Sequence, residues 1–279
     1  DRVVEERYLD ANGYPVARYE NFHGLSYEYD ETSTVIAYLD VEGNPIIRSD
    51  GYSTIVRTQV DGRAYDDFFY DLNGQQVQCS GGYYGLRRGY NAEGQDISLA
   101  FLDKDGHAVC TSSGYAIMTY QRDMNGTVVG KQYFDTDGNP VRSSLGKYGE
   151  FYQRNEQGYT GQITYLDADG NPAPTNAGYT ILKCTYHRDG TADTDMYFDA
   201  NGNPKALSKG QYGIKRSGKA NILLDRNGNV MPCVDNLLNG FLCMVVVLGC
   251  VVCLLMIALP KSLSVVRTVV YIAFILYEN

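Results

Sequence analysis

The chain has 279 residues, 7 Cys, 25 Tyr, no Trp and a net charge of −9, with a mean hydropathy of −0.31. The average hides a division: residues 1–230 hold 31 of the 33 acidic and 22 of the 24 basic side chains, while residues 231–279 hold only Asp235, Lys261, Arg267 and Glu278. A single soluble globule is excluded, and an acidic segment with no basic stripe excludes nucleic acid as partner.

From residue 8 onward one pattern recurs: aromatic, apolar, Asp, any, usually Asn or Asp, Gly, usually Asn, often Pro. It places Asp10, Asp40, Asp71, Asp103, Asp135, Asp167, Asp199 and Asp225 at spacings of 30, 31, 32, 32, 32, 32 and 26. Each is followed by a turn glycine: Gly13, Gly43, Gly74, Gly106, Gly138, Gly170, Gly202 and Gly228. The Asp carboxylate can accept backbone N–H groups two residues on. Asn or Asp and then Gly tolerate the positive φ that a tight turn needs. The Pro that follows has no N–H and suits an edge position.

Each unit has a second half. Eleven residues after the Asp stand Gly51, Gly82, Gly114, Gly146, Gly178 and Gly210, with Tyr52, Tyr83, Tyr115, Tyr148, Tyr179 and Tyr212 close behind. A second turn glycine follows at Gly62, Gly94, Gly126, Gly158 and Gly190. One unit therefore reads strand, tight turn, strand, Gly-Tyr, strand, tight turn, strand. The flanks are rich in strand formers, and no helical period is sustained. A 32-residue hairpin pair cannot bury its aromatic face alone, so neighbouring units must stack. The expected fold is an all-β, solenoid-like array of about seven stacked β-hairpin units. Residues 21–34 and the contracted last spacing read as capping repeats. Residues 205–222 form the most basic stretch.

The tail is different. Residues 231–240 read as a juxtamembrane linker. Phe241–Leu259 is 19 residues without a charge, roughly 28 Å as a helix and close to the hydrocarbon thickness of a bilayer. Residues 241–259 are thus expected to be a transmembrane α-helix. Lys261 and Arg267 make 260–268 a cytoplasmic loop and turn residues 1–230 outward. Residues 269–279 open a second span. The chain starts at Asp1 and stops inside an apolar run, so it reads as an internal piece of a longer protein.

The acids are many, yet each recurs with the repeat, whereas a catalytic acid should break it. His23, His107 and His187 occupy different positions in different units, and no glycine-rich phosphate loop opens a helix. No catalytic constellation or metal-ligand set is legible. The Asp-x-Asn/Asp-Gly run is two residues shorter than the Asp-x-Asn/Asp-x-Asn/Asp-Gly signature of an EF-hand and lacks its later Glu, which leaves weak structural calcium as the one ion the pattern admits. Cys243, Cys250 and Cys253 fall within the apolar run. Cys79 and Cys110 occupy near-equivalent positions in adjacent units, where either a cross-repeat disulfide or two packing thiols fit. Tyr pairs a flat apolar face with a hydroxyl and suits sugar rings. The Gly-Tyr set, Tyr52, Tyr83, Tyr115, Tyr148, Tyr179 and Tyr212, is the candidate ligand surface, with core packing as the other reading.

The Tyr/Phe-Leu/Phe-Asp-x-Asn/Asp-Gly-Asn-Pro unit with its Gly-Tyr half resembles the aromatic-turn repeats of Gram-positive cell-wall-binding and choline-binding modules. It also resembles the tyrosine–aspartate (YD, Rhs-type) repeats. The tail from Arg267 to Tyr277 is similar to the start of VanZ-like multi-pass proteins. Choline-binding repeats build their ligand cage from Trp, which this chain lacks. The resemblance implies a bacterial cell-surface repeat domain, held by an integral membrane region, that binds cell-envelope carbohydrate or a surface protein. The alternative it implies is an accessory ectodomain of a multi-pass membrane enzyme or resistance protein.

Overall fold

Every Asp turn closes in the same way. At Asp40, the Asp40 N–H donates to Asn44 O (2.9 Å), Gly43 N–H donates to Asp40 O (3.3 Å), and Asn44 N–H donates to Asp40 Oδ1 (2.8 Å). Gly43, at φ +96°, takes the left-handed step that a side chain would strain. Oδ1 of Asp10, Asp71, Asp103, Asp135, Asp167, Asp199 and Asp225 likewise accepts the N–H four residues on. The Gly-Tyr segment repeats this backbone scheme without the carboxylate: Cys79 N–H donates to Tyr83 O and Gly82 N–H to Cys79 O.

The computed structural model describes residues 2–18, 22–218 and 220–232. The chain divides after Asn229 into two units, and every element below belongs to the first. The strands are β1 Glu5–Arg7, β2 Gly24–Tyr29, β3 Ser33–Leu39, β4 Thr54–Val60, β5 Arg63–Tyr70, β6 Gly85–Tyr90, β7 Asp96–Leu102, β8 Ile117–Arg122, β9 Val128–Phe134, β10 Gly149–Arg154, β11 Thr160–Leu166, β12 Ile181–Tyr186, β13 Ala192–Phe198, β14 Gly213–Ser217 and β15 Ala220–Leu224. They form one open antiparallel sheet in strict sequence order. The described residues contain no helix. The expected span at 241–259, the loop at 260–268, the second run at 269–279, most of the linker at 231–240, and Cys233, Cys243, Cys250 and Cys253 lie outside the described residues.

The fold is all-β, with two differences from the sequence expectation. The hairpins join edge to edge in a single sheet rather than as separately stacked units. Each unit also contributes two strands, not four. Two five-residue turns leave only three residues between them, so the expected intervening strand shrinks to one bridge, such as Leu39 with Pro45. Proline's missing N–H goes unused there, and the next residue, Ile46, donates to Tyr38 O (2.8 Å).

The irregular spacings are resolved at the hairpin tips. Asp30 closes a short tip on Ser33, and Phe22 stands twelve residues after Asp10, the position of Tyr52 after Asp40. The stretch at 22–34 is thus a regular unit with a shortened tip. Asp61 (φ 51°) and Gly62 (φ 74°) form a two-residue turn, which needs positive φ at both central residues. The five-residue strands β14 and β15, against the six and seven residues of β12 and β13, account for half of the shortening of the final spacing to 26.

Alternating side chains give the sheet two faces. On one, glycine and larger residues alternate between units: Gly24, Thr54, Gly85, Ile117, Gly149, Ile181 and Gly213. Their cross-strand partners alternate inversely: Arg7, Ala37, Phe68, Ala100, Gln132, Thr164 and Met196. A small residue meets a large one at every junction, so the packing period is two units. Near the tips, side chains latch onto a carbonyl 26 residues back. Tyr29, Tyr90 and Tyr186 donate through Oη to Val3, Ala64 and Thr160 O, and Arg122 and Arg154 reach Asp96 and Val128 O.

Candidate ligand-binding crevices

The other face carries a ladder of rings. One set stands two residues before the first seven turn Asp residues (Tyr8, Tyr38, Phe69, Phe101, Tyr133, Tyr165, Tyr197). The other stands twelve residues after it (Phe22, Tyr52, Tyr83, Tyr115, Tyr179). Interleaved, they run from Tyr8 to Tyr133 with neighbouring centroids 4.3–6.0 Å apart. The ladder resumes from Tyr165 through Tyr179 to Tyr197 at 5.5 and 4.8 Å. Each such pair adds about 0.5–1.5 kcal/mol beyond the area it buries. Phe22, Tyr38, Tyr52 and Phe69 form the centre of the buried core with Ile36, Ile55 and Cys79.

Of the six sequence-selected tyrosines, Tyr52, Tyr83, Tyr115 and Tyr179 lie in this ladder. Tyr148 and Tyr212 stand one residue later, in register with Ser53, Tyr84, Ala116 and Thr180. The ladder position in their units belongs to Lys147 and Gln211. The interval from Gly to Tyr varies by one residue, so the six tyrosines fall in two registers.

Lys147 interrupts the ladder between Tyr133 and Tyr165. Its Nζ sits 4.8 Å from the Tyr165 ring centroid and 2.5 Å from Glu150 Oε1. Glu150 stands where the other units place Leu25, Ile55, Leu86, Met118, Leu182 and Ile214. Its carboxylate also accepts the Tyr133 and Tyr152 hydroxyls. Burial alone would raise this carboxyl, but the Lys147 charge and the three hydrogen bonds outweigh it and hold it below the usual range.

Successive Gly-Tyr turns stack by backbone hydrogen bonds: Ser80 N–H to Asp50 O (2.8 Å), Ser112 to Gly81 O (3.3 Å), Ser144 to Ser113 O (2.8 Å) and Asn176 to Leu145 O (3.2 Å). Between stacked turns open two crevices in equivalent places. The first, about 400 Å³, lies over Tyr52, Phe69 and Tyr83, with Asp50 and Ser80 at its rim and Arg57, Asp67 and Arg88 along one wall. The second, about 170 Å³, lies over Lys147, Tyr165 and Tyr179, with Leu145, Asn176 and Ala177 at its rim. In the first, Arg57 grips Asp67 bidentately (Nε–Oδ1 2.7 Å, Nη2–Oδ2 2.9 Å), and Arg88 Nη2 donates to the same carboxylate (2.8 Å). Arg48 crowns the adjoining rings, donating through Nη1 to the Tyr38 and Tyr52 hydroxyls (3.0 and 2.7 Å).

The turn acids are engaged locally. Among the described residues, no three His, Cys, Asp or Glu side chains gather where an ion could be held. The histidines remain dispersed: His107 lies 3.7 Å from Asp103 and His187 3.5 Å from Asp193, with His23 elsewhere. Cys79, Cys110 and Cys184 are free thiols. Burial and neighbouring Asp195 push the Cys184 thiol up to about 12. No protein-family model and no curated protein matches this chain.

Proposed function

We propose that this chain is a membrane-anchored surface repeat domain that binds cell-envelope polymer, polysaccharide or cell wall, or else a partner on that surface. The observation carrying this reading is the pair of equivalent, ring-floored crevices on one continuous sheet. They lie six strands apart, roughly 29 Å at the usual strand spacing. A rigid array offering the same cleft at intervals suits a ligand that is itself periodic, because the second contact then forms at high effective concentration. The uncharged run at 241–259 supports an integral membrane anchor, with Lys261 and Arg267 on its cytoplasmic side and the array outside. Turn Asp and Gly residues build the scaffold, with weak calcium binding at most.

The test is co-sedimentation of the full chain, in detergent micelles, with purified cell wall. Retention is expected. A chain that stays in the supernatant at low salt contradicts polymer binding. A second reading, an accessory ectodomain of a multi-pass membrane enzyme, draws on the apolar run Val269–Tyr277.

A further inference from the structure

The two crevices occupy equivalent places but differ at the floor, where Lys147 of the second stands in the place of Tyr52, and along one wall. Seventeen residues after the turn Asp, the first crevice has Arg57 and Arg88, whereas the corresponding residues around the second are Tyr152 and Cys184. Arg57 spends two guanidinium nitrogens on Asp67, and Arg88 spends Nη2 on it. Asp67 thus accepts three charged N–H bonds, and its side chain is only 3% exposed. Arg88 Nη1 is shielded from solvent and has no hydrogen-bond partner. A guanidinium group most favours an anionic oxygen. The charged groups lining the crevice are Arg57 and Arg88 against Asp67 and Asp50, and Asp50 is itself paired with Arg48 at 3.3 Å. With the Asp50 charge met outside the lining, positive charge is in excess beside the Tyr52 and Tyr83 rings, in a chain whose net charge is −9.

Building on the polymer reading, we propose that the first crevice is a subsite for an acidic sugar. The sugar ring lies against Tyr83, and its carboxylate faces the guanidinium groups of Arg57 and Arg88 along the crevice wall. The second crevice, whose one charged lining residue, Lys147, is paired with Glu150, takes a neutral unit of the same polymer.

The experiment is isothermal titration calorimetry of the full chain in detergent micelles, with trigalacturonate and its neutral methyl ester as probes. The wild type is expected to bind the acid at least tenfold tighter than the ester. Arg88→Gln brings the two affinities together. Arg88→Lys keeps a cation beside Asp67 but loses the guanidinium fork, and it loses most of the preference while melting close to the wild-type temperature. Equal affinities in the wild type, a preference that survives Arg88→Gln, or no binding of either probe overturns the acidic subsite. Co-sedimentation with cell wall, run alongside, separates the two levels of the argument. Retention without acid preference overturns the subsite and leaves polymer binding standing, whereas absence of retention removes both.

Discussion

Lys147 and Glu150 form a buried ion pair at the point where the ring ladder is interrupted, with side chains 10% and 11% exposed. Both depart from the repeat in the same unit: Lys replaces a ring and Glu replaces an aliphatic residue. Removing one partner of a buried pair strands the other, at a typical cost of 3–5 kcal/mol, whereas replacing both with well-packed apolar groups is often neutral or stabilising. Lys147→Met is therefore expected to destabilise by about 3–5 kcal/mol, and Lys147→Tyr with Glu150→Leu to match or exceed the wild type by about 1–4 kcal/mol. Urea unfolding measures both. A double variant as weak as the single one contradicts this account.

The alternation on the opposite face gives a prediction of unusual sign. Gly to Ala in a strand normally stabilises by about 0.5–1 kcal/mol. At Gly85, however, a Cβ would lie 2.5 Å from Asp67 O and 2.7 Å from Phe68 Cδ1. Gly85→Ala is expected to destabilise by about 1–3 kcal/mol, as overpacking does. Adding Phe68→Ala removes the ring clash but not the carbonyl clash, so rescue is partial. A neutral or stabilising Gly85→Ala would show that β5 and β6 are not this close.

Acid should loosen the array through its turns. The carboxyls of Asp71, Asp103, Asp135, Asp199 and Asp225 lie below their ordinary value, chiefly because the N–H four residues on donates to each. At Asp40 burial works upward, but the hydrogen bonds from Asn44, Gly43 and Glu42 win. A carboxyl depressed in the folded state adds stability above its unfolded pKa, and that stability is lost as pH falls through the folded value. Asp67 and Glu150 are shifted the same way. The melting temperature is expected to be level above about pH 5 and to fall progressively below about pH 4. A flat profile down to about pH 2.5 contradicts the turn geometry.

The turns were the legible part of the sequence, because their hydrogen bonds are local and use a fixed residue set. Asp10 through Asp225 and their glycines were placed from spacing alone. Three features escaped for physical reasons. The unit containing Phe22 looked degenerate because its tip is two residues short and Phe replaces Tyr. Phe68 and Gly85 compensate across a turn, 17 residues apart, so neither signals the other locally. The latches from Tyr90 and Tyr186 end on backbone carbonyls, which carry no side-chain signature. The ladder itself was half legible: its aromatic composition was plain, but the one-residue offset between Lys147 and Tyr148 was not.

The most direct test of polymer binding through the crevices is to plug them at exposed rim positions. Ser80→Trp fills the first and Ala177→Trp the second, and both leave the backbone bonds between turns in place. We predict that each full-length variant melts as the wild type, that each loses cell-wall co-sedimentation at least tenfold through lost bivalency, and that the double variant is not retained. A folded double variant that sediments with the wall like the wild type would contradict the account.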